Sequence, residues 1–513
     1  MAQRFKRIVE NSFILGYNDR DKAEALRTEE GVYMAMILNA WVDENKLIKR
    51  TGYSMIANAP RSKSILGQDR HEPFGGTKVI LRAIDDDPGT NSRIETWTGS
   101  GDWADMPGAI SQTAGALHEF VTLQGATYAF NDANDTVIKT TDGASFSNVA
   151  AVPAGISGAW FHNFFFVFGV SGQESRLYFS DVNTPETFDA MNGYIDVNPG
   201  DNEPIIGLGV LGDRLLIFKE SRVWQLTGYG TADFTLDDLG ETLTNLGTPA
   251  RRSIVETPSA CFFLSFRGGT PHFRMIRQTD ENQLINGGIV SDAITGTMNR
   301  LNVNQLANSA GIYDGRHIWW AVTVDSDTTN KEVLVFDTVT GAWVRFTGIE
   351  ASVFTLSTLT GEPQLYFGDS QASGKSYHLD TSTNDDGDAI DFQVHTPAYY
   401  PEPAHKSKFK YLYMTGDVSQ DVEIDVDIMK DGFGWLDLDT IQLTGLGAKF
   451  GSAVFGVSKF GDTTIAQDRL DTAGGTAYFM QYRFRNNEVD ESVTIREWEL
   501  FHKTRGLRAI PTV

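Results

Sequence analysis

Residues 205–228 carry the pattern that most narrows what this chain can fold into. Three short apolar runs are separated there by the two-residue breaks Gly212-Asp213 and Glu220-Ser221. Apolar runs divided by such tight breaks predict an antiparallel β-meander, because a helix would not be interrupted at this spacing. The middle run, residues 215–218, is apolar on both strand faces. The pattern therefore predicts a small sheet that is covered on both sides.

Units of similar pattern recur about every 45 residues, the spacing typical of four-stranded propeller blades. Each unit has an apolar strand, a Gly or Asp/Asn turn and a second, aromatic-rich strand. Candidate blades begin near Lys78, Leu117, Trp160, Ile205, Ser253, Ser309 and Val353. The sequence thus predicts an all-β protein whose residues 78–383 form a β-propeller of about seven blades. Because the units are only weakly similar, six or eight blades remain open.

The N-terminal segment, residues 1–77, differs from the repeats that follow it. A short helix is predicted over residues 21–27 and a hairpin over residues 36–42 and 47–53. Residues 59–76, rich in Pro and Gly, are predicted to form an extended loop. The segment either closes the propeller, with residues 36–42 as the closing strand, or packs on the C-terminal domain.

The last stretch, residues 384–513, is predicted to form an additional C-terminal antiparallel β-sandwich domain. Its strands alternate strictly between polar and apolar residues, and residues 445–461 form a Gly-rich loop or flap. One strand carries an acidic stripe composed of Asp421, Glu423, Asp425 and Asp427. Alternate strand residues lie about 7 Å apart, too far to converge on a calcium ion. The stripe is therefore interpreted as solvated or facing a channel.

A basic counterpart, Lys406, Lys408 and Lys410, alternates along a neighbouring segment. Lysines spaced in this way lie on one face of a strand. They are candidates for contact with phosphate or with an acidic neighbouring subunit. The alternative is an ordinary solvated sheet edge, where lysines also discourage aggregation.

The charge balance limits the classes of function. The 513 residues include 67 Asp and Glu against 43 Lys and Arg, a net charge of −24. A protein that grips nucleic-acid phosphates over a broad face carries the opposite balance. The single cysteine, Cys261, lies in an apolar run and is predicted to be a buried, inert thiol. No signal peptide or membrane span is recognised, which favours a soluble protein made in a reducing cytoplasm.

No catalytic, cofactor-binding or metal-binding group is predicted, and the chain is not expected to be an enzyme. Residues 140–146 approximate one sialidase-type repeat but are one residue short of it, and an Asx turn is the better explanation. The loop Asp385-Asp386-Gly387-Asp388 lacks the ligand spacing of a calcium-binding EF-hand. The nine histidines show no zinc-site spacing. The Trp319-Trp320 pair is predicted to lie in the core between blades.

Several scattered motifs together resemble one known family, the tail hub or nozzle proteins of short-tailed bacteriophages. The matching stretches are residues 47–53, 176–181 with Pro185, 207–228, 252–258, 335–337 with 341–343, 396–408 and 505–508. That family usually has a proline where Thr51 stands here. The resemblance implies a propeller with an added β-rich domain, assembled as a ring of about six copies around the tail axis. It also implies docking to portal-proximal adaptor proteins and to fibres.

The resulting hypothesis is a structural virion protein of a phage tail, made in the host cytoplasm. Its ring extends the DNA ejection channel, and acidic residues are expected to outnumber basic ones on the surface facing the axis. Such a lining repels phosphate, so DNA passes without specific binding. The alternative is a propeller-type glycan-binding protein or polysaccharide depolymerase of a phage tail. A soluble bacterial propeller that acts as an interaction scaffold is a third possibility.

Overall fold

Strands make up nearly all regular structure in the computed structural model, which describes residues 5–28, 31–58, 61–86, 89–107, 112–239, 246–278, 284–402, 405–445 and 464–504. In these ranges the α-helical structure is the single turn Thr295–Met298. Short 3₁₀ turns occur at Ala23–Ala25, Pro199–Asp201, Arg251–Ser253, Asp292–Ile294 and Val303–Asn308. The helix predicted over residues 21–27 is therefore reduced to a 3₁₀ turn.

The N-terminal segment contributes five short strands. They are β1 (Lys6–Glu10), β2 (Met36–Leu38), β3 (Ala40–Asp43), β4 (Lys46–Lys49) and β5 (Gly52–Met55). The predicted hairpin is present as β3 paired with β4. Its turn residues, Glu44 and Asn45, have φ values of 44° and 62°. Positive φ at both positions gives the turn the twist that hairpin strands require.

The next strands form three successive sheets of four or five strands. They are β6 (Ile65–His71), β7 (Val79–Asp85), β8 (Asn91–Trp97), β9 (Ala104–Asp105) and β10 (Gln112–Thr113); β11 (His118–Leu123), β12 (Ala126–Asn131), β13 (Ile138–Thr140) and β14 (Ser147–Asn148); and β15 (Ser157–Phe161), β16 (Phe164–Phe168), β17 (Arg176–Asp181), β18 (Thr184–Phe188) and β19 (Tyr194–Asp196). Each sheet is antiparallel, as expected of a propeller blade.

The middle of the chain continues the same pattern. Its strands are β20 (Ile205–Leu211), β21 (Arg214–Lys219), β22 (Val223–Thr227) and β23 (Thr235–Asp238); β24 (Val255–Glu256), β25 (Ala260–Ser265), β26 (His272–Gln278) and β27 (Leu284–Ile289); β28 (Ala310–Tyr313), β29 (His317–Val322), β30 (Glu332–Asp337) and β31 (Trp343–Thr347); and β32 (Ala351–Ser357), β33 (Gln364–Asp369) and β34 (Ser376–Ser382).

The chain folds into two compact units. The propeller unit comprises residues 54–333 and 349–380, and the two-sheet unit comprises residues 1–53, 334–348 and 381–513. In the propeller unit, the innermost strands contact one another in the cyclic order β6, β11, β15, β20, β24, β28, β32 and back to β6. Six of these strands open separate four- or five-stranded sheets, and β28 pairs with β29. The predicted β-propeller is confirmed.

The blade that starts with β32 is completed by a strand from the other end of the chain. Strand β5 is the outermost strand of the sheet β32-β33-β34-β5. Beside it, the backbone N–H of Ile56 donates to the Ser376 carbonyl at 3.1 Å. The closing strand is therefore β5, whereas residues 36–42 form β2 and β3 in other sheets.

The prediction of an extended loop over residues 59–76 is wrong. This stretch contains β6, the innermost strand of the first blade. After Ile65 and Leu66 this strand is polar, because its later residues line the propeller axis rather than a core. Gly67 is needed there. A Cβ atom at this position would lie 2.3 Å from the His118 carbonyl oxygen. Close backbone approach, and not a turn, explains this glycine.

The meander predicted at residues 205–228 is present as strands β20–β22 and is covered on both faces. Leu215 and Ile217 belong to the core shared with the preceding blade, where they join Phe166. Leu216 and Phe218 belong to the core shared with the following blade. Alternate side chains of β21 therefore bind the blade to its two neighbours.

The C-terminal strands are β35 (Phe392–His395), β36 (Ser407–Val418), β37 (Val422–Lys430), β38 (Trp435–Leu443), β39 (Thr464–Leu470), β40 (Gly475–Ala477), β41 (Met480–Asn486) and β42 (Thr494–Thr504). One sheet of the two-sheet unit has the order β3-β4-β42-β36-β39, with β1 on β42 and β40 on β36. The other runs β31-β2-β35-β41-β37-β38. These sheets take strands from residues 1–53 and 334–348 as well as from the C-terminal stretch.

The buried faces of these two sheets contact each other. The Phe484 ring on β41 meets the Trp498 ring on β42 at 5.1 Å, nearly edge to face. The Trp498 indole also donates to the Tyr399 hydroxyl at 2.8 Å. Both aromatic side chains of the first pair are fully buried. The predicted Gly-rich flap lies, apart from Gly445, outside the described residues.

Candidate functional site

A cavity of about 270 Å³ lies on the propeller axis, where the innermost strands converge. Its charged lining consists of Asp69 on β6, Glu119 on β11 and the adjacent pair Arg251 and Arg252. Phenyl rings of Phe120, Phe168 and Phe354 complete the wall. The propeller therefore brings two carboxylates and two guanidinium groups together from three stretches distant in sequence.

Glu119 is held by both arginines. The Arg252 Nε donates to Glu119 Oε1 at 2.7 Å, and the Arg251 Nε donates to the same oxygen at 3.2 Å. Arg252 also donates through Nη2 to the carbonyls of Leu66 and His118. Burial raises the pKa of Glu119, but the charges of the two arginines outweigh it and hold the pKa below its usual value. Glu119 is therefore ionised.

Asp69 is held differently. Its Oδ1 accepts the backbone N–H of Arg70 at 2.7 Å. Removal from water is the largest influence on this carboxyl and raises its pKa to about 6. The cavity thus contains one ionised carboxylate and one that exchanges its proton near neutral pH, a pairing that suits proton transfer to a polar ligand.

Replacing Asp69 by Asn is expected to stabilise the propeller at pH 8. The folded protein binds the Asp69 proton more tightly than the unfolded chain, so the carboxylate's contribution to stability falls as the pH rises through about 6. A shift of this size corresponds to at most about 3 kcal/mol. Thermal unfolding of Asp69→Asn and wild type should differ at pH 8 and converge near pH 4. An equal difference at both pH values would contradict the assignment.

The acidic stripe is only partly as predicted. Asp421, Glu423 and Asp425 are exposed, with Asp437 and Asp439 exposed on the paired strand β38. Asp427, however, is only 2% exposed. Its Oδ2 accepts from the Nε of Arg483 at 2.7 Å and from the Nε of Arg485 at 2.6 Å.

Two arginines on the neighbouring strand explain why Asp427 is buried. Alternation along β37 is kept, since Val426 and Ile428 on either side of Asp427 face the core. The regular pairing of β37 with β41 places Arg483 opposite Asp427 and Arg485 two residues away on the same outer face, where both cover its carboxylate. The prediction that Asp427 is solvated or faces a channel is wrong.

The three lysines lie at β36 or just before it. Lys406 and Lys408 are exposed, and Lys410 is half-buried. The Lys406 Nζ lies 5.0 Å from the centroid of the Tyr478 ring, and the Lys410 Nζ contacts the Tyr411 hydroxyl. Their contact with phosphate or with a neighbouring subunit stays a prediction.

An aromatic cluster beside the lysines was not recognised from the sequence. The rings of Tyr411, Tyr413 and Phe501 lie 5.4–6.4 Å apart on the outer face of the sheet. The Arg469 guanidinium lies 5.4 Å and 5.7 Å from the centroids of the two tyrosine rings. The alternation of Tyr411 and Tyr413 with buried Leu412 and Met414 was the available signal. Pairing with Phe501 and Arg469 required the sheet.

Three predictions about isolated residues are confirmed. Cys261 is fully buried, and burial raises the pKa of its thiol well above the usual value. Asp142 Oδ1 accepts the backbone N–H groups of Ala144 and Ser145, which makes the predicted Asx turn. The Trp320 ring stacks at 4.0 Å on Phe273 of the preceding blade, and Trp319 is also buried.

The loop at residues 385–388 is occupied by an ion pair. Arg50 Nη1 donates to Asp385 Oδ1 at 2.8 Å, and the side chains are 2% and 7% exposed. Within the described residues, no cluster of three or more His, Cys, Asp or Glu side chains is placed to hold a metal ion. The same part of the chain contains no helix of the length and apolarity that a membrane span needs.

Comparison with known proteins finds similarity in fold. No protein-family model matches the sequence, and no curated protein matches it. The N-terminal domain of Nup159 is 9% identical, with 67% of this chain and 99% of that chain covered and a TM-score of 0.41. The Neurospora crassa Pan2 WD40 domain is 10% identical, with 64% and 95% covered and a TM-score of 0.40.

Similar solved structures also include enzymes. An exo-beta-1,3-galactanase from Phanerochaete chrysosporium is 11% identical, with 77% of this chain and 98% of that chain covered and a TM-score of 0.25. The similar solved structures thus include WD40 domains and an enzyme.

Proposed function

We propose that the chain is a structural subunit of a bacteriophage tail nozzle, and that copies of it form a ring around the DNA ejection channel. The proposal rests on the motifs that resemble tail hub proteins and on the pairing of basic side chains with carboxylates in the propeller unit. This pairing is the observation that supports the mechanism.

Many basic side chains of the propeller unit lie next to carboxylates. The Nζ of buried Lys219 lies 2.8 Å from Asp201 Oδ1, and Arg300 Nη2 lies 2.7 Å from Asp325 and 2.8 Å from Glu332. Other pairs are Lys139 with Glu186, Arg176 with Asp196, Arg222 with Asp238, Arg251 and Arg252 with Glu119, and Lys331 with Glu350. The pairs neutralise the cations and leave the acidic surplus of the chain uncompensated.

A ring built from such subunits gives DNA little to bind. Duplex affinity comes mainly from counterions released when lysine and arginine neutralise phosphates. Cations already paired with carboxylates contribute little to that release. A negative surface also repels phosphate, so a duplex slides along it with low friction. The channel belongs to the ring of subunits, because the axial cavity within each propeller, about 270 Å³, is too small to pass a duplex.

Two measurements test this function. Electron microscopy of phage particles that carry the tagged chain should place it in a ring at the tail. The purified chain should show no retardation of duplex DNA at low salt, where basic proteins bind most strongly. Absence of the chain from purified particles, or tight duplex binding by its isolated form, would overturn the proposal.

A second candidate function, glycan cleavage or binding in the axial cavity, is favoured by the Asp69 and Glu119 pair. One carboxyl that holds its proton near pH 6 and one ionised carboxylate match the acid and base roles in glycoside hydrolysis. Release of reducing ends from capsular polysaccharide, lost in Asp69→Asn, would support it. If purified protein released no reducing ends from any polysaccharide tested at any pH, this second function would be ruled out.

A further inference from the structure

The two-sheet unit has two outer faces of opposite character. The acidic face carries the exposed carboxylates of β37 and β38, among them Glu423, Asp425 and Asp437, with Arg485 at 3.9 Å from Asp425. The basic aromatic face carries Lys408, Tyr411, Tyr413, Arg469 and Phe501, and its Glu499 is paired with Arg7. On a chain with a net charge of −24, a basic aromatic surface is the exception.

The two faces point in opposite directions. On β37 the exposed acids alternate with buried Val422, Ile424 and Val426. On β36 the two tyrosines alternate with buried Leu412 and Met414. The buried faces of the two sheets meet through Phe484 and Trp498. Because these inner faces contact each other, the outer faces lie back to back.

Each face combines charge with apolar surface. The tip of the β37–β38 hairpin exposes Phe433 at 80% beside the acidic residues. The opposite face presents half-buried aromatic rings next to Arg469. The Arg469 side chain is 47% exposed, and its Nε lies 3.0 Å from Asp471 Oδ1. Apolar anchors surrounded by opposite charges are the composition of a specific protein interface.

We propose that the acidic face of one copy docks on the basic aromatic face of the next copy, head to tail. This inference rests on the proposed ring-forming function and names its interface. Different surfaces on opposite sides of one subunit make a heterologous contact, and repetition of that contact closes a ring when the rotation allows it. Phe433 meets the aromatic cluster, while Glu423 and Asp425 face Lys408 and Arg469.

Single-stranded nucleic acid is the other ligand that suits cations beside aromatic rings. A second copy is the better-supported partner, because the same chain carries the complementary acidic face. The strongly acidic remainder of the chain also opposes approach of a polyanion. Binding of a labelled oligothymidine by the full chain, lost in Lys408→Glu/Arg469→Glu with assembly unchanged, would overturn the proposal in favour of nucleic acid.

The test uses charge reversal on the full-length chain, followed by native mass spectrometry and sedimentation velocity. Lys408→Glu/Arg469→Glu makes both faces acidic, and Glu423→Lys/Asp425→Lys makes both basic. Like charges then oppose each other across the contact, so each variant alone should associate at least about 100-fold more weakly than wild type. Lys22→Glu and Glu362→Lys, changes at exposed residues elsewhere, should assemble as wild type does.

Mixing the two charge-reversed variants is the decisive experiment. An equimolar mixture of the two reversed variants restores opposite charges at every contact and should form rings in which the variants alternate. The fourfold variant, with both faces reversed, should assemble by itself. These gains also exclude misfolding as the cause of the single-variant loss. A mixture that remains dissociated, single variants that assemble normally, or a wild-type chain that stays monomeric at its highest soluble concentration would overturn the interface.

The outcome is separable from that of the proposed function. Rings that survive both single-face changes remove this interface but leave the nozzle proposal intact. A chain that assembles through these faces in solution yet is absent from phage particles removes the nozzle proposal and leaves the interface.

Discussion

Leu216→Asp should abolish folding of the propeller unit. Leu216 is fully buried on β21 and packs with Phe218, Cys261 and Phe263 in the core between two blades. Loss of the leucine side chain alone costs about 2–5 kcal/mol, and an unpaired carboxylate in its place adds a desolvation penalty of several kcal/mol. The sum approaches the whole stability of a typical domain, about 5–15 kcal/mol. Soluble yield, circular dichroism and thermal unfolding measure the effect.

The matched control is Leu216→Ile, which keeps the volume and should cost less than about 1.5 kcal/mol. A closed ring of blades makes the damage global rather than local, because β21 contributes to the cores on both of its sides. A Leu216→Asp protein that is soluble, cooperative in unfolding and correctly assembled would contradict the blade assignment.

Arg50→Met should destabilise the two-sheet unit by about 3–5 kcal/mol, the usual cost of removing one partner from a buried ion pair. Arg50 donates to Asp385, to the Asn39 side chain at 3.0 Å and to the Thr347 carbonyl at 2.7 Å. Without the guanidinium, Asp385 is left as a buried carboxylate. Chemical denaturation and amide hydrogen exchange in the two-sheet unit measure the loss.

Two further variants identify the cause. Arg50→Met/Asp385→Leu removes both charges and should recover much of the stability, because replacing a buried pair with apolar groups is often neutral. Burial already raises the pKa of Asp385, and loss of Arg50 raises it further. The single variant should therefore regain stability as the pH falls, since the orphaned carboxyl becomes protonated. Arg93→Met, in a half-exposed pair with Asp86, should change little. Equal losses in the single and double variants would contradict this account.

Local pattern made much of the propeller predictable. Six of the seven predicted blade starts lie within a few residues of an innermost strand, and the 205–228 meander has the predicted turns. The first blade was misplaced because β6 lines the axial cavity and lacks an apolar pattern. The closing strand β5 was also misassigned, since no local signal says which distant strand it pairs with.

The candidate site was less predictable than the fold. The sequence did not predict Asp69, Glu119, Arg251 or Arg252 as site residues, because they come together only when the innermost strands converge. The exposure of Asp421, Glu423 and Asp425 followed from alternation. The burial of Asp427 did not, because it depends on Arg483 and Arg485, which strand pairing with β41 places beside it.

The sequence by itself determined that this chain is a propeller of repeated strands with a strongly acidic surface, because strand periodicity, turn chemistry and net charge are local or additive. Only the tertiary structure decided that Arg50 and Asp385 meet across 335 positions and that the two-sheet unit draws on three stretches of chain. It also set an acidic face and a basic aromatic face back to back. These features depend on register and long-range strand pairing, which the geometry of the whole sheet selects.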